Sequence, residues 1–281
     1  MKLMTLSDIH QMNNKWKKLI KACKKEQPEV VAIAGDLFPK TEGIQDHLNY
    51  MYHIKKYATQ IKEMGIELVL ILGNDDNQLL IPKMQELDDE GLLHFVHDKV
   101  KVVQGYEFVG MPWVKDYPFT YKFWIKPDTM ENIGIAHPQL GEPMILNEDN
   151  KWVEVEGDYA DYLYKKGTIK KQLDVLMSQV KNMSKSIWLI HGPPKYMKMD
   201  VCGHGEEVGS QAVTYFLEEN EPMLTIHGHI HESPEVTGIW KKQVGDTMVI
   251  QNGQLHLDLY YSMVEIEDDK IMEVKHSIYG K

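Results

Sequence analysis

Apolar residues fall along the chain in two alternating rhythms. Short continuous runs at 2–6, 30–34 and 68–72 stop at small polar residues: Ser7-Asp8, Gly35-Asp36 and Gly73-Asn74. Between them, residues 15–25 place Trp16, Leu19, Ile20 and Cys23 at helical spacing, and residues 46–64 carry apolar positions with helical periodicity. Continuous apolar strands separated by amphipathic helices are the pattern of buried parallel βαβ units. Ligands of such proteins usually sit in the loops at the carboxyl ends of the strands, and here each of those loops carries an acid or an amide.

The middle of the chain changes character. Residues 100–103 and 108–109 predict a hairpin, 113–127 are rich in aromatics, proline and lysine, and 147–161 are acidic and loop-like. Residues 168–183 read as one amphipathic helix. A strand at 187–190 then runs into His191-Gly192-Pro193-Pro194, and a helix over 210–219 leads to a strand at 223–226 and the cluster His227-Gly228-His229-Ile230-His231. The tail alternates as strands at 247–250, 257–264 and 271–276, expected to form a final sheet packed against the first. No Gly/Ser linker or internal repeat divides the chain. Residues 1–281 therefore read as one α/β domain with an elaboration at about 100–186.

Charge narrows the partners. With 42 acidic and 31 basic residues the formal net charge is −11, which argues against duplex DNA or other nucleic acid as the main partner. It leaves phosphate chemistry open, because bound cations can supply local positive charge. No apolar run approaches the length of a transmembrane helix, and residues 1–6 pass straight into a strand, which argues against a secretory leader. Two cysteines, Cys23 and Cys202, cannot form a disulfide framework and fit a reducing cytoplasm.

The strand ends carry Asp8-Ile9-His10, Gly35-Asp36, Gly73-Asn74-Asp75-Asp76, His191 and Gly228-His229-Ile230-His231. Taken singly, a turn or N-cap carboxylate explains Asp8 or Asp36, and a satisfied core histidine explains His191. Chance supplies an Asp-x-His pair about once in such a chain. With 20 Gly and 13 His in 281 residues, a Gly-His-x-His match arises by chance only about 0.04 times, so it carries more weight. Every motif follows a strand-like run, so all can converge on one edge of the sheets. Carboxylate and imidazole donors without thiolates suit manganese, iron or zinc rather than a structural zinc knot.

In this order the motifs resemble the signature of the calcineurin-like metallophosphoesterase superfamily: D-x-H, G-D, G-N-H-[DE], H and G-H-x-H. The chain looks most similar to its Icc-related group of predicted phosphoesterases, on Gly110-Met111-Pro112-Trp113, His191-Gly192-Pro193-Pro194, Gly209-Ser210 and Gly228-His229-Ile230-His231-Glu232. Asn252-Gly253-Gln254 falls where that group carries an Asn-Pro-Gly turn. The resemblance implies a four-layer α/β/β/α sandwich of two mixed sheets with two divalent metals, manganese foremost. It places Asp8, His10, Asp36 and His231 on one metal, and Asp36, Asn74, His191 and His229 on the other, with Asp36 bridging. A hydroxide held between the metals would attack a small phosphodiester or phosphomonoester, possible nucleotide-like substrates included. The alternatives are a nuclease of the same superfamily and a non-catalytic binding module on this fold, like the retromer scaffold subunit.

One position departs from the pattern. The superfamily's histidine after the motif asparagine, credited with protonating the leaving group, is Asp75 here, followed by Asp76. A carboxylate beside two dications is ionised at neutral pH and donates no proton. His204, in Cys202-Gly203-His204-Gly205, is a candidate replacement acid set against a solvated loop histidine, and His137 is a weaker one. His227 lies outside the signature and reads as a supporting or structural residue. Trp113, Tyr117, Phe119, Tyr121, Phe123 and Trp124 read as satellite core beneath a long connection, with nucleobase stacking as the alternative. Lys115, Lys122 and Lys126 interleave with them.

Overall fold

A computed structural model describes residues 1–10, 14–41, 43–136, 138–147, 149 and 151–280. The chain begins with β1 (Lys2–Leu6), β2 (Val30–Ala34), β3 (Glu67–Ile71) and β4 (His94–Phe95), connected through α1 (Lys15–Glu26), α2 (Ile44–Glu63) and α3 (Ile81–Asp89). These four strands are parallel. An antiparallel pair follows, β5 (Val100–Val103) and β6 (Tyr106–Met111). Beyond Met111 the chain leaves the large sheets to form a small hairpin, β7 (Met144–Leu146) and β8 (Trp152–Glu154), and the short helix α4 (Tyr159–Lys165). It returns through α5 (Ile169–Met177), β9 (Ser186–Ile190), α6 (Gln211–Asn220), β10 (Leu224–His227), α7 (Ser233–Thr237), β11 (Lys241–Val244) and β12 (Thr247–Gln251). The last elements are β13 (Ser262–Glu267) and β14 (Lys270–His276).

The strands form two mixed six-stranded sheets. One has the order β14-β13-β1-β2-β3-β4, the other β11-β12-β10-β9-β6-β5. Side chains alternate across each strand, and that alternation makes the layers. In β2, Val30, Ala32 and Ala34 face the second sheet, meeting Phe108, Ile187, Leu189 and Ile226. Val31 and Ile33 face the opposite way, against Trp16, Leu19, Ile54 and Ala58 of α1 and α2. On the far side, Trp188 and Ile190 of β9 pack against Leu173 of α5 and Phe216 of α6. The result is the expected four-layer α/β/β/α sandwich, each large apolar side chain contributing about 1.5–3 kcal/mol by burial. Among the described residues no helix is long and apolar enough to cross a membrane.

Three expectations about elements change. The tail does not make its own sheet: β12 pairs with β10 in the second sheet, while β13 and β14 extend the first beside β1. Residues 257–261 are not strand, because Gln254 Oε1 takes the amide of Tyr260 and Ser277 Oγ that of Tyr261. The helix predicted over 168–183 stops at Met177 although its apolar pattern continues. The Glu107 carboxylate takes the amides of Lys181 and Asn182, which turns the chain toward β9.

Two buried histidines outside the strand-end motifs tie the fold to pH. His97 Nδ1 accepts from the amide of Leu72, and His276 Nδ1 from those of Ile278 and Tyr279. Burial pushes His97 down to about 3 and His276 to about 4, from an ordinary value of 6.5. Their folded values are depressed, so the unfolded chain takes up protons first. The stability they provide is whole above pH 6.5 and lost as pH falls toward the folded values, by about 1.4 kcal/mol per group per pH unit. The urea midpoint is therefore expected to drop between about pH 7 and pH 5, and His276→Gln to flatten that slope. A midpoint independent of pH would contradict this account.

Candidate metal centre

All the motif residues leave strands at the same edge. Asp8 and His10 follow β1, Asp36 follows β2, Asn74 follows β3, His191 follows β9, and His229 and His231 follow β10. Backbone hydrogen bonds knit the loops together: Asp8 N to Gly35 O, His10 N to Asp36 O and Gly228 N to His191 O, each 3.0 Å. To aim their side chains inward, Asp8, His10, Asp36 and His229 adopt left-handed backbone, with φ of 55°, 46°, 56° and 68°. Such conformations cost roughly 1 kcal/mol or more each outside glycine and concentrate at functional sites. Two glycines are required by close approach. A Cβ on Gly73 would sit 2.5 Å from Asp36 N and 2.7 Å from His191 Cε1, and one on Gly228 would sit 2.5 Å from Asp8 Oδ2.

Asp8, His10, Asp36 and His231 each offer a ligand atom within 4.8 Å of the others. His10 Nε2 and His231 Nε2 face one another at 3.1 Å, and His231 Nε2 lies 3.2 Å from Asp8 Oδ1. Asp36 Oδ2 is 3.4 Å from His10 Nε2 and, on its other side, 3.4 Å from His191 Nε2. Beyond it Asn74 Oδ1 meets His191 Nε2 at 2.8 Å and His229 Nδ1 at 2.5 Å. The structure thus brings together all seven residues that the sequence nominated as ligands.

The donor set suits divalent cations. Asp8 Oδ2 is buried without a hydrogen-bond partner, as is His10 Nδ1. Burial drives His10 and His229 down to about 3, so both rings are neutral and carry a lone pair. His191 behaves oppositely. Burial disfavours its charge, yet Asp36 overrides that and raises it to about 10, so a proton sits among Asp36, Asn74 and His191. A bound cation fits that place equally well. Its Nδ1 lies 2.7 Å from the Ala34 carbonyl, which directs Nε2 at the cluster. Burial alone would raise the Asp8 and Asp36 carboxyls, but the surrounding imidazoles, His231 at Asp8 and His191 at Asp36, hold both below their ordinary value.

The two adjacent acids after Asn74 do different work. Asp76 is buried and accepts from the amides of Leu37, Phe38 and Gly73, clamping the β2 and β3 loops together. Asp75 lies at the mouth, its amide donating to Asp36 Oδ1 and its carboxylate 3.9 Å from His10 Nδ1 and 3.2 Å from Lys40 Nζ. Burial, then the Asp36 charge, raises the Asp75 carboxyl against the pull of Lys40; dications would act in the opposite direction. Lys40 was not among the sequence candidates, because a lone lysine four residues past a motif looks like any surface cation. Gln254 was also overlooked: its side chain donates to the carbonyls of Ser7 and Tyr260, and its amide to that of His231.

His204 is not brought to this cluster. Its ring is exposed and pairs with Glu206 at 3.1 Å, as a solvated loop histidine would. His137 lies outside the described residues. His227 is structural, held between Gly192 O and Thr225 Oγ1. Of the aromatic stretch, Tyr117, Phe123 and Trp124 are buried, whereas Phe119 is exposed. Tyr117 stands 6.2 Å from the His229 ring, and Trp124 Nε1 donates to Asp76 O at 2.7 Å, so the connection buttresses the site. Its lysines are spent on structure: Lys122 on Asp116, Lys115 on carbonyls of Val208 and Gly209, Lys126 on Gln172 and the Trp113 ring.

Neighbouring substitutions should therefore separate. Asp76→Ala leaves three buried amides without an acceptor and is expected to cost about 3 kcal/mol or more in urea denaturation. Asp75→Ala removes a partly exposed ion pair and should cost under about 1 kcal/mol. Equal losses would refute the clamp.

The fold and site can be set beside known proteins. No curated protein sequence matches the chain significantly. Among solved structures, TT1561 of Thermus thermophilus superposes with a TM-score of 0.58 at 17% identity, covering 97% of either chain. A novel archaeal phosphodiesterase gives a TM-score of 0.46 at 13% identity over 98% of either chain. At such identities the first likeness speaks for the fold alone. The sequence model of the calcineurin-like phosphoesterases, however, matches residues 1–233, a stretch that includes all seven clustered candidate ligands. On that match and this geometry, the chain belongs to the calcineurin-like phosphoesterase family, whose members hydrolyse phosphate esters with divalent metals.

Proposed function

We propose that this protein hydrolyses a small phosphodiester or phosphomonoester at two divalent cations, one held by Asp8, His10, Asp36 and His231, the other by Asp36, Asn74, His191 and His229. The observation that carries the reading is the place of Asp36 Oδ2, equidistant at 3.4 Å from imidazole nitrogens of both sets. One carboxylate oxygen so placed suits a bridge between neighbouring cations. Bound there, the cations would supply Lewis acidity, activate water and offset the charge gathering on phosphoryl oxygens.

The chain's own residues do the rest. Ala34 O fixes the His191 ring, while Asp76 and Gln254 hold the ligand loops in register. His231 and Asp75 are the partly exposed members, at 16% and 29% of their side chains, so substrate enters on their side. The net charge of −11 and the structurally committed lysines of the aromatic connection favour a small ester over nucleic acid. The oxygen and nitrogen donors favour manganese, with iron or zinc as alternatives. Both cysteines are unpaired, which supports a reducing, cytoplasmic setting.

Chelator-stripped protein should regain hydrolysis of bis-p-nitrophenyl phosphate or p-nitrophenyl phosphate with Mn²⁺, at two ions per chain. Asp36→Ala should lower this by more than about 100-fold, since it takes away a ligand rather than an outer support. Failure to bind any metal would end the proposal, and one ion per chain would end its dinuclear part. An ionised Asp75 provides no proton for the leaving group, help typically worth about 10²–10⁴ in rate. Alkyl esters should therefore lag behind aryl esters, and Asp75→His should narrow the gap. An alkyl-to-aryl ratio unchanged by Asp75→His would remove this explanation.

A further inference from the structure

The mouth of the cluster opens on a second feature. Lys40, on the loop between β2 and α2, reaches back to Asp75, and its half-exposed side chain also forms the near wall of an open cleft of about 470 Å³. Pro39, Thr41 and one face of α2 complete the lining: Asp46, Asn49, Tyr50 and His53 recur at helical spacing, so they share that face. The cleft contains none of the metal ligands. Lys40 is the link between the two.

We propose that Lys40 is a substrate-binding residue whose ammonium takes a non-bridging phosphoryl oxygen, and that the cleft behind it receives the second substituent of a phosphodiester, a neutral hydroxyl-bearing group such as a sugar or glycerol. This rests on the phosphoesterase reading above and names its substrate class.

Three observations support it. The Asp75 oxygen that holds Lys40 at 3.2 Å also lies 3.9 Å from His10 Nδ1, so a single carboxylate oxygen separates the half-exposed ammonium from the edge of the cluster. The Lys40–Asp75 pair is 53% and 29% exposed, a setting in which ion pairs contribute little, so an incoming phosphoryl group can exchange for Asp75 readily. The cleft has the volume of a small-molecule site, and a monoester has no second substituent to fill it. Its wall offers a carboxylate, an amide, an imidazole and a hydroxyl, with Asp46 already accepting from Thr41 Oγ1 at 2.9 Å. Such donors and acceptors match hydroxyl groups, while Asp46 repels a second phosphate.

The test holds the leaving group fixed. Thymidine 5′-(p-nitrophenyl phosphate) and p-nitrophenyl phenylphosphonate both release p-nitrophenolate and differ in the other substituent. With Mn²⁺ present, Lys40→Met should raise KM for both by about 10–100-fold, the worth of a hydrogen bond to a charged group. Its manganese content should match wild type, and Lys40→Arg should recover most of the loss. Asn49→Ala combined with His53→Ala should lower the thymidine-to-phenyl ratio of kcat/KM about tenfold. Unchanged KM in Lys40→Met, or an unchanged ratio in the double variant, overturns the proposal while leaving the phosphoesterase reading intact. If wild type hydrolyses neither ester, the diester assignment fails, turnover of p-nitrophenyl phosphate tells whether the phosphoesterase reading survives, and calorimetry with inorganic phosphate decides Lys40. Binding weakened in Lys40→Met sustains its role, and equal binding removes it.

Discussion

Two buried carboxylates facing the same few ångströms are costly, and the protein is built around that cost. Asp8 and Asp36 are within 1% of full burial, and their ligand atoms share a cluster 4.8 Å across. Like charges so close in a medium poorer than water repel strongly unless positive charge is placed between them. Imidazoles provide part of it, with the His191 proton lodged against Asp36. On the proposed reading, divalent cations would satisfy the remaining acceptor capacity, such as the unpartnered Asp8 Oδ2.

Holding that arrangement dictates the backbone. Side chains from five strand ends converge only if the loops turn sharply, which explains the left-handed conformations at Asp8, His10, Asp36 and His229. It also explains glycines where two loops touch, Gly73 against Asp36 and Gly228 against Asp8. Strain of this kind persists only where surroundings over-determine it. Asp76 does so by gripping three amides from two loops, and Gln254 by tying the Ser7 and His231 loops to the tail. The parallel strands place the turns at one edge. The apolar cluster between the sheets fixes the strands that carry that edge.

The convergence of the seven candidate ligands was legible because each stands just past an apolar run, a pattern local in sequence and set by strand length. The sandwich was legible for the same reason, since continuous runs such as 30–34 report burial on both faces. The destination of the tail was not. β12 and β13 read alike as short strands, and which sheet each joins depends on partners distant in sequence, Leu224 in one case and Lys2 in the other. The end of α5 was hidden because Glu107, far off in sequence, decides it. Asp76 and Gln254 stand in motifs the sequence displays, but their roles were hidden for a related reason: a carboxylate or amide whose partners are backbone groups leaves no trace of them in residue type. Lys40 gave no signal at all, since exposed lysine is what most loops carry.

The exchange of histidine for Asp75 looks like a loss of function until its partner is counted. A neutral imidazole contributes no formal charge at that position, and neither does the Asp75–Lys40 pair taken together. The difference is in distribution. The pair is a dipole, its negative end beside His10 and its positive end toward the cleft. A neutral ring can hand over a proton; a carboxylate–ammonium dipole cannot do so readily, but its ammonium can take an anion in exchange for Asp75 and release it when Asp75 returns. On the proposed reading, the site exchanges help for a departing group against grip on an arriving one. That balance suits an ester whose leaving group departs without assistance, or whose placement, rather than bond cleavage, limits the rate.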